Sequence, residues 1–293
     1  MASTVFKLVR PLVPNLTLKI PHVEPHLELR VRLRQHLSLV ARGTKAYENR
    51  YVSVLRHLIK EGDTVFDVGA NIGFYSVLFS SWVGATGKVV AYEPDRNNLY
   101  LLERSLQLNS CRNVVVRELA LSKNSGIDLF SLDRATGSTG HLGNGVTFGE
   151  TLFGKGRTSF IEVDVRTVDD EASSWGFPQV IKLDVEGGEF DVLLGGLKLL
   201  EKYRPILISE LSVWNESESD APSHAALATK LLEERDYSIW DIDTGRRISG
   251  GGVGWTVLAV PHEKCSDERV VIILNEVIGA SDANPAKRAT MSI

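Results

Sequence analysis

The seven residues Asp67–Gly73, DVGANIG, constrain the fold of this chain more than any other segment. They follow a short β-rich apolar run, Thr64–Val68, and lead into a stretch, Ile72–Val83, that suits a helix. A strand that turns through glycine straight into a helix opens a βαβ unit. The rhythm continues downstream. Strands are predicted at Lys88–Tyr92, Val114–Val116, Phe160–Val165, Val180–Asp184 and Pro205–Glu210, with helices at Asp95–Asn109, Glu189–Leu200 and Ser223–Arg235. Asp95 suits an N-cap, and Leu99, Leu102 and Leu106 share one face of its helix. Upstream, Tyr51, Val54, Leu55, Leu58 and Ile59 fall at helical spacing, which predicts a helix over Glu48–Lys60. Between Pro25 and Leu39 the alternation of Leu27, Leu29, Val31 and Leu33 favours a strand, although the stretch as a whole also suits a helix.

Strands alternating with helices imply an α/β fold, a doubly wound and mostly parallel sheet with helices on both faces. Ile127–Leu132 reads as an added strand. Tyr237–Ile242 and Trp255–Val260 have only a loop with Gly250–Gly252 between them. They are expected to form an antiparallel hairpin, giving a seven-stranded sheet with one reversed edge strand.

The 293 residues suffice for one large α/β domain with extra segments. Net charge is −4, from 33 basic and 37 acidic residues, which argues against a nucleic-acid partner. Cys111 and Cys265 match no zinc spacing and form no disulfide framework, so a reduced, cytoplasmic setting is expected. No apolar run approaches the ~18 residues of a membrane span.

The glycines of DVGANIG let backbone approach a ligand closely. Dinucleotide enzymes use G-x-G-x-x-G, shaped for a pyrophosphate. Here an acid, Asp67, precedes Gly-Ala-Asn-Ile-Gly. That suits a ligand with an ammonium and a carboxylate in place of phosphate, as in the amino acid end of S-adenosylmethionine. Backbone N–H groups and Asn71 would meet the carboxylate. Glu93 ends the second strand, where an acid accepts hydrogen bonds from ribose hydroxyls. KLDVEGGE, Lys182–Glu189, ends the fourth core strand and clusters Asp184, Glu186 and Glu189, with Lys182 on the same side as Asp184. Asp184 and Glu210, at neighbouring strand ends, would serve as a base and its orienting partner or would hold a divalent cation such as Mg2+. Glu189 equally suits a capping role for the next helix. His141, in the Gly-rich insert, is a weaker candidate base.

Taken together, GDTVFDVGANIGFYS, VVAYEPD, IKLDVEGGEFDVLLG and PILISEL resemble the FkbM family of methyltransferases. The resemblance covers about Tyr47 to Glu210. It implies a Rossmann-like class I methyltransferase fold and S-adenosylmethionine as donor. It also implies O-methylation of sugars, polyketides, glycans or other secondary metabolites, as in natural product biosynthesis. At matching positions Asp67, Gly69, Ala70, Asn71, Gly73, Glu93 and Pro94 would bind the cofactor, with Asn97, Tyr47 and Glu48 as further candidates. Adenine would meet the chain near Glu118, Leu119, Ala120 and Leu121. Asp184 and Glu186 would border the transfer centre.

The expected chemistry is in-line methyl transfer to oxygen on a small-molecule or glycan acceptor. An alcohol needs a base such as Asp184 or a metal; a carboxylate needs neither. A nicotinamide-dependent oxidoreductase or epimerase would show a phosphate-fitting glycine loop and a Tyr-x-x-x-Lys pair, neither of which is evident. A non-catalytic module would lack Asp67, Gly69 and Glu93. The reading divides the chain into an extension, 1–46, a catalytic domain, 47–262, with an insert, 133–157, and a C-terminal extension, 263–293, with a disordered end. The first extension and the insert are candidates for an acceptor lid, and the first also for an oligomerisation segment in a homodimer.

Overall fold

The computed structural model describes residues 16–24, 26–44, 49–133, 140–143, 158–211 and 223–279. Strands β1 (Thr17–Pro21) and β2 (Glu28–Arg32) form an antiparallel hairpin. Of the two readings open for Pro25–Leu39, the alternating leucines therefore resolve as strand, and a short helix, Leu37–Arg42, follows. The central sheet then takes β3 (Thr64–Val68), β4 (Lys88–Tyr92) and β5 (Val114–Arg117). A second sheet is built from β6 (Ala120–Leu121), β7 (Gly126–Asp133), β8 (Gly140–Leu142) and β9 (Thr158–Arg166). The chain returns to the central sheet with β10 (Val180–Leu183), β11 (Ile206–Glu210), β12 (Tyr237–Asp241), β13 (Arg247–Ile248) and β14 (Thr256–Pro261).

The central sheet has the order β13-β12-β14-β11-β10-β3-β4-β5. The run from β11 to β5 is parallel throughout. The expected α/β class holds, with two differences at one side of the sheet. The sheet has eight strands, the two-residue β13 being added to the seven expected. The reversed strand β14 is not at the edge but between β11 and β12, antiparallel to both. The physical reason is the crossover helix His224–Glu233, which sets β12 down parallel to β11 but one strand-width away; β14 returns through the gap.

Both faces of the sheet are covered, so its inner strands are buried along their length. On β3, Val65 faces a layer that includes Val77, Leu78, Leu101 and Leu102 from the helices Phe74–Val83 and Arg96–Leu108. Phe66 and Val68 face the opposite layer with Leu193, Leu199 and Leu232. Val270, Ile273, Leu274 and Ile278 beyond β14 complete the first layer. The β1–β2 hairpin rests on the Arg96–Leu108 helix. The backbone N–H groups of Glu28 and Arg30 donate to Asn109 Oδ1 (2.9 Å) and Ser105 Oγ (3.0 Å).

Two helical expectations change. Glu189–Leu200 is not one helix but two, Glu189–Leu194 and Leu197–Lys202. The break falls at Gly195, where a Cβ would lie 2.1 Å from the Ser122 carbonyl oxygen. Val168–Trp175 is a helix that the strand-by-strand reading passed over. Its signal is local: Thr167 accepts from the Asp170 N–H (3.1 Å), and Asp169, Asp170 and Glu171 fill the first turn. No helix among the described residues is long and apolar enough to cross a membrane.

Candidate active site

The turn after β3 is folded tightly onto β4. The N–H groups of Gly69 and Ala70 both donate to the Tyr92 carbonyl (3.1 and 2.9 Å), and the Asn71 N–H donates to Glu93 Oε2 (2.8 Å). Those three N–H groups are thus held by the neighbouring strand end. The glycines answer to protein packing. Gly69 (φ +77) has no room for a Cβ, because the Asp184 carbonyl oxygen lies 1.8 Å from where it would stand. A Cβ on Gly73 (φ +85) would meet Leu102 Cδ1 at 2.5 Å. Asn71, also left-handed at φ +51, tolerates that conformation better than most residues.

Behind the turn lies a buried charge cluster. Lys182 pairs in register with Asp67 across β10 and β3, and both are buried, at 2% and 0% side-chain exposure. The Lys182 ammonium donates to the Gly69 carbonyl (3.0 Å) and lies 3.2 Å from Asp184 Oδ2 and 3.6 Å from Asp67 Oδ1. The Tyr75 ring also lies beside it, 5.2 Å from the nitrogen to the centroid. Ser76 donates its hydroxyl to Asp67 Oδ2 (2.5 Å). Burial pushes the Asp67 carboxyl up, while Lys182 and Ser76 pull it back.

A cavity opens beyond the carboxyl ends of β3, β4 and β10, where open α/β sheets hold ligands. The turn contributes Gly69 and Asn71; the end of β4 contributes Tyr92, Glu93, Pro94 and Asp95. Leu119, Ala120 and Leu121 wall the side above β5. Asp184, Val185, Glu186 and Gly188 wall the side above β10. Phe130, Gly140 and Leu142, from the second sheet, complete the lining. One side is therefore apolar, the other acidic, and Glu93 stands between them.

Of the residues singled out in the sequence, Gly69, Asn71, Glu93, Pro94, Leu119, Ala120, Leu121, Asp184 and Glu186 meet around this cavity. Asp67 and Lys182 lie behind its wall. Ala70 and Gly73 shape the turn without lining the space. Glu118 pairs outward with Arg96 (2.5 Å). His141 sits between Gly140 and Leu142 on β8, so strand alternation turns it to the other face. Glu210 ends β11, one strand beyond β10, and does not line the cavity. Tyr47 and Glu48 lie outside the described residues, as do most of the insert and Ala280–Ile293. None of residues 16–44 that are described lines the cavity.

Sequence reading missed Asn98. It is 5% exposed and lines the cavity, whereas Asn97 points away, donating to Asp95 Oδ1 (3.2 Å) and accepting from Arg32 (3.4 Å). One residue is about 100° around a helix, so the cue was the three-residue step from the Asp95 cap. Phe130 and Leu142 were missed because they belong to a distant part of the chain.

The carboxylates differ in their surroundings. Glu93 accepts the N–H of Asp95 on Oε1 and that of Asn71 on Oε2, both at 2.8 Å. Burial still pushes its carboxyl up to about 7. Glu189 Oε1 accepts the N–H groups of Val185 and Gly187, each at 3.1 Å, so it clasps the turn before its helix and does not cap the helix itself. Burial raises it to about 7. The divalent site expected at Asp184 and Glu210 is not supported. Among the described residues no group of three or more His, Cys, Asp or Glu side chains is placed to hold a metal ion. Asp184 has the Lys182 ammonium beside it instead.

The sheet order, the glycine turn and the cavity at the strand ends define a Rossmann-like class I methyltransferase fold. A family model described as the methyltransferase FkbM domain matches residues 67–239, and the chain belongs to that family. The matched segment is a methyltransferase domain. Among solved structures, the chain is similar to the methyltransferase FkbM from Methylobacillus flagellatus KT, with 18% identity, a TM-score of 0.42, and coverage of 78% of this chain and 53% of that one. It thus spans about half the length of that relative. A SAM-dependent methyltransferase from Aquifex aeolicus matches at 16% identity and a TM-score of 0.41, over 77% and 96% of the two chains. A SAM-dependent O-methyltransferase from Thermotoga maritima matches at 14% identity and a TM-score of 0.42, over 80% and 72%. No curated protein matches the sequence.

Proposed function

We propose that this methyltransferase uses S-adenosylmethionine to methylate an oxygen of a small-molecule or sugar acceptor. The observation that carries the reading is the division of the cavity. Leu119, Ala120, Leu121, Phe130 and Leu142 supply an apolar wall that suits adenine. Glu93 faces the middle; its oxygens take one backbone N–H each and the Asn98 side chain, and the acceptor position that remains suits a ribose hydroxyl. Asn98 stands beside it, and its Oδ1 has no hydrogen-bond partner among the described residues. Asp184 and Glu186 place carboxyl groups at the end where the donor's ammonium and sulfonium would lie. The donor supplies an activated methyl group. The chain's own residues bind it, align the acceptor and exclude water.

The same acidic side favours a neutral hydroxyl over a carboxylate as acceptor, because Lys182, the buried cation nearest to it, is already held between Asp67 and Asp184. In this reading the second sheet, whose Phe130, Gly140 and Leu142 line the cavity, helps to select that acceptor. Calorimetric titration of S-adenosylmethionine, S-adenosylhomocysteine and NAD into wild type and Glu93→Ala tests the reading. Binding of the first two, weakened at least tenfold by the substitution and without NAD binding, is expected for a lost charged hydrogen-bond pair (about 1.5–3 kcal/mol). Binding of NAD alone would overturn it.

A further inference from the structure

The three acids that follow β10 hold different positions. Asp184 is committed to the Lys182 ammonium, 3.2 Å away. Glu189 is committed to the backbone of its own turn. Glu186 is the apex of that turn. Its carboxylate lines the cavity and accepts no hydrogen bond among the described residues. Its backbone is left-handed at φ +58, an uncommon conformation for a residue with a side chain, and Gly187 follows at φ +103. Such outliers persist where the surroundings over-determine them, and here the Glu189 clasp does so from both sides of residue 186.

We infer that Glu186 is the catalytic residue that receives the acceptor's proton. The inference rests on the donor and hydroxyl acceptor proposed above. As the acceptor oxygen bonds to the methyl carbon, the carbon–sulfur bond breaks with its electron pair staying on sulfur. The hydroxyl proton passes to a Glu186 carboxylate oxygen, which leaves that group a neutral acid beside a neutral thioether. Asp184, the base expected from the sequence, becomes a positioning residue.

The charges around Glu186 suit this exchange. Asp184 and Glu189 flank it on the turn, Asp133 faces it from β7, and Lys182 lies behind the wall. His224 reaches the turn from the helix before β12, 3.4 Å from the Gly187 carbonyl, and Glu93 and Asp95 line the cavity opposite. Burial first, then Asp184 and Glu189, push its carboxyl up to about 8, against the pull of Lys182. A cation entering the cavity favours the ionised form, so the donor's positive sulfur would release the proton and ready the base. The neutral product would not.

The test needs no acceptor. S-Adenosylmethionine and S-adenosylhomocysteine are titrated into the full chain at pH 7.5 in phosphate and in Tris, whose different ionisation heats report the protons exchanged. In wild type the first ligand is expected to release about half a proton more than the second. Glu186→Gln should abolish that difference and weaken the cationic ligand about tenfold, with the neutral one changed less than about threefold. Glu186→Asp, which keeps the charge, should restore part of both. Equal proton release in wild type, or an undiminished difference in Glu186→Gln, would overturn the assignment while leaving the donor reading intact. Failure of both ligands to bind wild type would overturn the donor reading and this inference with it.

Discussion

A Cβ placed on Gly69 would stand 1.8 Å from the carbonyl oxygen of Asp184. The strand end that carries the acids and the turn that shapes the cavity are thus in backbone contact, and glycine is the one residue that fits. Gly69→Ala is expected to cost about 3–5 kcal/mol in urea unfolding, from overlap added to a left-handed backbone. Gly43 has nearly the same φ, +74, but nothing within 4 Å of its Cβ position, so Gly43→Ala should cost about 1–3 kcal/mol from backbone strain alone (its ψ is 149). Equal losses would show that conformation, not contact, sets the requirement.

Lys182→Met removes the ammonium that lies between Asp67 and Asp184. The buried Asp67 carboxyl is left with Ser76 as its hydrogen-bond partner, and a loss of about 3–5 kcal/mol is expected. Adding Asp67→Asn should recover part of it, because an amide needs no counter-charge. Strictly additive losses in the double variant would show that the two residues do not act as a pair.

Stability should fall as pH rises from 5 to 8.5. Glu93 and Glu189 are pushed up to about 7 and Glu186 to about 8, against about 4.3 in an unfolded chain. The native state therefore holds more protons than the unfolded one across this window. The stability that these acids contribute is fully present below the unfolded value and is lost as pH passes 7 to 8. Asp267 and Glu263, held below the usual range by Arg269 and Arg204, act in the opposite sense, but below about pH 4. The gap between the thermal midpoints of wild type and Glu189→Gln should open between pH 5 and 7 and be widest above 7; a flat wild-type profile would contradict the burial of these groups.

Phe130→Ala shortens the apolar wall contributed by the second sheet. It should weaken S-adenosylhomocysteine and 5′-methylthioadenosine alike, by about three- to tenfold, since both carry adenine. Asn98→Ala should do the same through the ribose. An effect confined to S-adenosylhomocysteine would move the nucleoside to the other end of the cavity.

Much of the frame was legible because it is local. Hydrophobic runs, the Asp95 cap and the glycine turn depend on neighbours a few residues away, and so did the overlooked cap at Thr167. The closing strands were legible as an antiparallel pair but not in their place, since that depends on where the crossover helix sets β12. The nine singled-out residues that meet at the cavity sit at strand ends, where chain direction alone points them.

The sequence by itself determined the α/β class, the position of the site at the ends of β3, β4 and β10, and the acids gathered there. Only the tertiary structure decided what each acid does. Asp67, Asp184, Glu186 and Glu189 are the same chemistry in the chain. They differ because Lys182 reaches two of them, the turn backbone occupies another, and Glu186 is left facing the cavity. Burial and charge pairing are set by residues far apart in sequence, and local spacing carries no record of them.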